Sequence, residues 1–330
     1  MIDVVLQHSA CPSESPEPFS GPAVEHAPAP CIQRLPPEIL VEIFRFYGAE
    51  RHARNAALIP WPIELPSEHA CSWIPLMLIC RLWRDIGLDT PTLWREIEVK
   101  RRLEWLQLAL TRSKDAPLTL IFYPGNMAHV TVPLLRPHGH RIRKLVLPPF
   151  IFPAHGQKID LPFFLPLLRT RLTLLDELVI VAAAETPDLH KLAGRTMLPL
   201  SERHYPALRT LRLARAALLW TPSVISRLTC LDLRACVIHG PPLPHDQFLS
   251  ALGTCLNLVE LRLLDSFISF ATVIPAFPVT NPLCALPKLR ELTIGDEPAV
   301  ISWFISSLRL PEFTTIETVE CVPAAMGRST

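Results

Sequence analysis

Glycine is scarce in this chain: 11 residues in 330, none arranged as a phosphate-binding loop or as Gly-x-Ser-x-Gly. That absence removes the usual nucleotide cradles and the strained nucleophile turn of serine hydrolases. Although 49% of the residues are hydrophobic, no apolar run approaches the roughly 18 to 20 residues that a spanning helix needs. The first residues include Asp3 and lack a basic stretch followed by an apolar core, so no secretory leader is expected. Neither sign of charge dominates: 32 Lys and Arg stand against 31 Asp and Glu, a formal net charge of +1. Nucleic acid and anionic membranes are offered no electrostatic footprint. The nine cysteines form no C-x-x-C pair and keep no pairing rhythm. They fit a reduced cytoplasmic or nuclear compartment.

What the chain has instead is proline. It carries 36, about twice what an average usage of about 5% supplies. Long uninterrupted helices are excluded, and short elements joined by stiff connectors are expected. From Met1 to Cys31 the composition is dominated by Pro, Ser, Ala and Glu, which predicts a disordered Pro-rich tail over 1–31. Ser13 and Ser15 could make that tail regulatory; a dispensable leader is the simpler reading. Basic runs at Lys100-Arg101-Arg102 and Arg141-Ile142-Arg143-Lys144 are short and read as solvated faces.

Two stretches stand out. In Leu35-Pro36-Pro37-Glu38-Ile39-Leu40-Val41-Glu42-Ile43-Phe44 a proline suits the first helical turn, and Ile39, Leu40, Ile43, Phe44 and Tyr47 recur at helical spacing. In the second, Pro75 opens a run in which Leu76, Ile79, Cys80, Trp83 and Ile86 fall on one helical face, ending near Thr90-Pro91. So small a unit carries more large apolar residues than it can bury alone, which points to a partner surface.

These residues in this order, with Leu93-Trp94 before a strand, resemble the F-box. The flanks, including Asp89-Thr90-Pro91-Thr92-Leu93-Trp94, are most similar to the F-box proteins of mushroom-forming fungi. Gly48 to Trp73 is longer than the usual link and reads as an inserted surface loop, giving an F-box over 32–99 with an insertion at about 48–73. The resemblance implies a Skp-family adaptor as partner, facing Leu35, Pro36, Ile39, Leu40, Ile43, Phe44, Ile79, Cys80 and Trp83. Leu93 and Trp94 would then be the joint to the next domain.

Beyond Val99 the pattern apolar-x-x-apolar-x-apolar recurs at Ile142/Leu145/Leu147, Leu175/Leu178/Ile180, Leu208/Leu211/Leu213, Leu228/Leu231/Leu233, Leu258/Leu261/Leu263 and Leu289/Leu292/Ile294. It returns more weakly at Ile316/Val319/Cys321. Each last pair shares one face of a strand. The pattern resembles leucine-rich repeats, although an ordinary mixed α/β domain remains an alternative. Cys236 would stand for the usual Asn, whereas Ala183, Ala216, Ser266 and Glu297 hold that place elsewhere, so no regular Asn ladder is expected. Returning helices are predicted at Phe163 to Arg171, Pro222 to Arg227, Asp246 to Cys255 and Val300 to Leu308, with Pro-rich connectors at Pro241 to Pro244 and Pro275 to Pro287.

The fold class expected is therefore α/β: an all-helical F-box followed by an irregular leucine-rich-repeat-like α/β solenoid over 100–330, with a short disordered C-terminal end. Strand residues Arg143, Glu177, Arg209, Arg212, Asp232, Arg234, Glu260, Arg262, Glu291 and Thr293 are candidates to face a target, with an excess of Arg that suits a partly acidic protein. His138-Gly139-His140 supplies two metal ligands at most, and no Cys has an activating context, so neither a cofactor nor an intrinsic active site is expected. By resemblance the chain is a substrate receptor of an SCF-type cullin–RING ubiquitin ligase, reaching cullin and RING subunits through the adaptor and holding an unknown target. The alternative is a non-catalytic repeat scaffold whose F-box does not support ubiquitination.

Overall fold

The computed structural model describes residues 31–56, 73–100, 102–123, 128–147, 161–181, 200–214, 216–219, 222–239, 245–265 and 284–320. The expected tail up to residue 30, the 57–72 part of the insertion, the connector Pro241 to Pro244, most of Pro275 to Pro287 and the C-terminal end lie outside them.

The N-terminal helical unit consists of α1 (Pro37–Ala56), a 3₁₀ helix Ile74–Leu78 and α2 (Arg81–Asp89). A 3₁₀ turn, Pro91–Leu93, leads into β1 (Glu96–Val99), followed by α3 (Leu103–Arg112), β2 (Leu118–Phe122), α4 (Ala128–Leu135) and β3 (Ile142–Leu147). Next come α5 (Leu165–Leu168), β4 (Glu177–Val181), β5 (Thr210–Ala214), β6 (Ala217–Leu219), α6 (Pro222–Ile225), β7 (Cys230–Arg234) and β8 (Val237–His239). The chain continues through α7 (His245–Gly253), β9 (Glu260–Leu264), β10 (Cys284–Ala285), β11 (Glu291–Asp296), α8 (Pro298–Ser306), β12 (Leu308–Arg309) and β13 (Thr315–Glu320).

Nine strands form one sheet in the order β1-β2-β3-β4-β5-β7-β9-β11-β13, every neighbouring pair parallel. Strand order follows chain order, so each helix or turn returns the chain to a place beside the strand it just left. The register aligns leucine on leucine: Leu145, Leu178, Leu211, Leu231, Leu261 and Leu292 lie in one row. Leu147, Ile180, Leu213, Leu233, Leu263 and Ile294 form the next. All twelve are buried, and each such side chain is worth about 1.5–3 kcal/mol relative to exposure. The leading apolar residues Ile142, Leu175, Leu208, Leu228, Leu258 and Leu289 are buried too. Five of them sit in turns before their strands, as where the Leu289 amide donates to the Leu286 carbonyl.

Four differences from the sequence reading have physical causes. Pro75 does not open one long helix: Cys80 is fully extended (φ −158°, ψ 176°) and starts α2 afresh after the 3₁₀ turn. The helix expected to stop before Gly48 runs on to Ala56, so the insertion begins later. The stretch Leu103 to Leu135 carries α3, β2 and α4. No leucine three residues ahead marks β2, and Ile121 breaks its alternation by being apolar on the outer face. At the far end Ile316, not Val319, pairs with Leu292, while Thr318 takes the place facing Ile294. Ile316 and Val319 therefore project from opposite faces of β13.

Two residues that end strands of this sheet share a left-handed backbone: Ala235 (φ 48°) and Asp265 (φ 49°). Their amides reach the next strand, Ala235 N–H to the Leu264 carbonyl (2.7 Å) and Asp265 N–H to Gly295 (2.8 Å). Alanine bears a steric penalty at such a φ that glycine does not. Ala235→Gly is expected to raise stability by about 0.5–1 kcal/mol, read as a higher urea midpoint at unchanged slope. Just beyond, the Cys236 thiol donates to the Leu213 carbonyl at 3.3 Å, a bond back to the preceding strand of the sheet.

One core runs from Leu40 and Phe44 through the strand leucines to Phe304 and Leu308. The helical unit and the sheet share it. β1, placed by the sequence reading at the end of the helical unit, pairs with β2 and is the sheet's first strand.

Candidate docking surface

Helix α1 is apolar on two sides. Leu40 and Phe44, four apart, are buried in the core, with Tyr47 half-buried one turn on. Ile39, Ile43 and Phe46 make a second stripe at i, i+4 and i+7. Ile43 touches the core, but Ile39 stays 48% exposed and Phe46 72%. A helix this apolar on its solvent side is not explained by its own domain.

Aromatic rings hold the two helices together. Phe44 lies 5.4 Å from Trp83 of α2 and 5.9 Å from Trp73, ring centre to ring centre. Trp73 meets Trp94 edge-on at 5.2 Å, and Trp94 lies 5.6 Å from Trp105 of α3. The Trp94 indole N–H donates to the Gly87 carbonyl at 2.8 Å. Trp94 thereby bridges α2 to the first helix of the sheet region, and Leu93 beside it is buried. Gly87 is where α2 comes closest to the 3₁₀ turn: a Cβ there would stand 2.6 Å from Met77. Arg45 ties α1 to the same joint through the Thr92 hydroxyl at 2.9 Å.

The turn before α2 and its first residues expose a second apolar group: Leu78 at 77%, Ile79 at 57%, and Leu82. The nine residues expected to face an adaptor therefore divide. Pro36, Ile39 and Ile79 are exposed, and Leu35, Ile43 and Cys80 are half-buried. Leu40, Phe44 and Trp83 are fully buried, which corrects their assignment from contact surface to scaffold. Phe46, Leu78 and Leu82 were missed by the motif. Phe46 is legible as the i+7 partner of Ile39, while Leu78 and Leu82 lie off the helical face that the motif marks.

Residues 32–100 match the F-box-like family. The match covers α1, α2, the turns between and after them, and β1. It supports an F-box protein, and with it the adaptor-subunit role generally found in that family. No curated protein matches the chain.

The sheet face opposite the main core carries the other candidates. In register, Lys144, Glu177, Cys230, Glu260 and Glu291 lie in one row, and Arg212, Asp232, Arg262 and Thr293 in the next. They are largely engaged with one another: Lys144 with Glu177 at 2.9 Å, Arg262 with Glu260 at 2.9 Å and Glu291 at 3.5 Å, Arg212 with Glu260 at 3.9 Å. Arg234 grips Asp232 with two bonds, at 2.8 and 2.9 Å. Asp232 is buried, and burial pushes its carboxyl up against the opposing pull of Arg234. Arg209 is off this face, donating to the Arg227 carbonyl at 3.0 Å. Arg143, mostly exposed, lies 3.8 Å from Asp176 and is skipped by the register shift between β2 and β3. The expected arginine excess is thus absent among Arg212, Arg234 and Arg262 against Asp232, Glu260 and Glu291. Toward β1 to β4 the same face turns apolar, with Ile121, Tyr123, Val146 and Val179 forming a separate buried cluster.

His138 and His140 do not converge. The His138 ring lies 3.3 Å from the Arg141 guanidinium, and the His140 ring 3.2 Å from the Pro137 carbonyl. Burial, Arg141 and His140 hold His138 below its usual range. Among the described residues no cluster of three or more His, Cys, Asp or Glu could hold a metal ion. Burial pushes the thiols of Cys230, Cys255 and Cys284 up to about 12, leaving them protonated and poor nucleophiles at neutral pH. No described helix is long and apolar enough to cross a membrane.

Proposed function

We propose that this chain is the substrate receptor of an SCF-type ubiquitin ligase, acting in the cytoplasm or nucleus. The F-box-like domain binds a Skp-family adaptor and, through it, cullin and RING subunits; the parallel sheet and its connections form a leucine-rich-repeat-like solenoid that holds a target. The observation carrying this reading is the solvent-facing apolar set Ile39, Phe46, Leu78, Ile79 and Leu82 on the domain that matches the F-box-like family. Burial of such a set on a partner contributes apolar transfer energy that the free chain forgoes. The chain needs no chemistry of its own. Holding a target beside a charged conjugating enzyme makes transfer effectively intramolecular.

The test is co-expression of the full chain with a Skp-family adaptor, followed by pull-down and detection of adaptor and cullin. Phe46→Asp with Ile79→Asp places two charges on the apolar set without touching Leu40, Phe44 or Trp83. Adaptor recovery is expected to fall more than tenfold while far-UV circular dichroism is unchanged. Undiminished recovery with the double variant would overturn the adaptor reading. Recovery of adaptor without cullin would favour the scaffold alternative.

A further inference from the structure

The sheet ends differently at its two edges. β1 is flanked by α3 and, through Trp94, by the helical unit, whereas among the described residues nothing covers β13. Thr315 to Val319 are all exposed, with Ile316 at 44% and Val319 at 40%, although they project from opposite faces. Phe313, just before the strand, is exposed as well. Among the described residues β13 pairs with β11 alone, and it does so over six consecutive residues, the longest pairing in the sheet. Unsealed edge strands usually carry lysine, proline or a bulge that discourages another strand. The sequence Thr315-Ile316-Glu317-Thr318-Val319-Glu320 contains none of these.

The edge is also acidic. Glu317 and Glu320 lie on β13 and exposed Glu312 just before it, with no Lys or Arg from Leu310 to Glu320. Glu317 accepts a bond from Thr293 at 3.4 Å, which orients it over the open face without neutralising it. The next acidic residue, Glu291, is shared with Arg262. A second copy of this strand would bring like charges together, whereas an extended segment rich in Lys or Arg would be attracted.

We infer that β13 is a docking edge for an extended basic segment of a protein partner, which adds a tenth strand with its apolar residues on the face of Ile316 and its basic residues on the face of Glu317. Backbone bonds to the edge that no described strand covers supply affinity, and Glu317 supplies charge selection. The inference rests on the receptor reading by naming a partner chemistry for its target-holding half. Adaptor recovery is scored separately, so either can fail alone.

The probes are two synthetic peptides, Lys-Val-Lys-Ile-Lys-Val-Lys and its glutamate counterpart, titrated onto the full chain by fluorescence anisotropy, with hydrogen exchange across β13. The basic peptide is expected to bind at least tenfold more tightly than the acidic one and to protect β13 amides. Glu317→Lys with Glu320→Lys should reverse that preference, and Thr318→Pro should abolish binding of both while adaptor recovery is unchanged. Equal binding of the two peptides, absence of protection in β13, or a concentration-dependent dimer that Thr318→Pro dissolves would each overturn the inference.

Discussion

Trp83→Ala is expected to unfold the helical unit, not to strip a contact from its surface. Trp83 is buried against Phe44. Removing so large a core ring costs about 3–5 kcal/mol, a sizeable part of the 5–15 kcal/mol that holds a whole domain. Urea unfolding should show the unfolding free energy falling by that amount, seen as a lower midpoint, and hydrogen exchange should show α1 and α2 losing protection before the later strands. The contrast is Ile79→Ser, a change at an exposed residue, for which the unfolding free energy should stay within about 0.5 kcal/mol of the parent. Both variants would weaken adaptor capture under the proposed function, but for different reasons. A Trp83→Ala protein with parental midpoint and weakened capture would return Trp83 to the contact surface.

In sequence, Leu40, Phe44 and Trp83 share helical stripes with Ile39, Ile43 and Ile79, and a motif names them together without saying which side each faces. Helical spacing separates two faces only when one is polar. On α1 both are apolar, so the core-facing stripe and the solvent-facing stripe become distinguishable only when Trp73 and Trp83 are seen to close over Phe44. The strands were easier. A Leu-x-Leu pair with a charged residue between, as at Arg212, Asp232 and Arg262, has one arrangement in a half-buried strand, and all six strong segments form strands with their paired Leu or Ile residues inward. Legibility failed where alternation failed. β2 is apolar on both faces because Ile121 joins Tyr123, Val146 and Val179 in a second cluster, and among the described residues β13 has no following strand to bury its apolar residues.

The open face shows a different limit. Spacing located Arg212, Asp232, Arg234, Glu260, Arg262 and Glu291 between the leucines, but charge counting said nothing of pairing. Once strands align in register, Arg234 finds a carboxylate on its own strand, Arg262 on its own and the adjacent strand, and Arg212 on the next strand but one. Residues already paired offer a partner less than their formal charge suggests, because their bonds must be exchanged before new ones form. For this reason the bare acidic edge at β13 is a better anchor than the middle of the face.

Arg141 was read as one of a solvated basic run, and its replacement carries the other large expected effect. It is buried, at the end of the 3₁₀ helix Arg136–Arg141 just before β3. Its guanidinium donates to the Ser113 hydroxyl at 3.0 Å and to the carbonyls of Leu110 at 3.1 Å, Ala116 at 3.4 Å and Lys114. Those groups belong to the C-terminus of α3 and the turn after it, where carbonyls lack helical partners and the helix dipole favours a cation. The Lys114 backbone there is left-handed (φ 46°), so the turn is held in a conformation that needs support. Arg141→Leu keeps bulk but leaves buried acceptors unmet. Each orphaned group costs about 1–3 kcal/mol, and with partial relaxation a total loss of about 3–5 kcal/mol is expected. Arg141→Lys should recover only part of it, since an ammonium cannot span four acceptors with a planar fork. Arg143→Leu, two residues on and largely exposed, is the control and should change the unfolding free energy by less than about 0.5 kcal/mol. Equal effects at 141 and 143 would show that Arg141 does not pin the turn after α3.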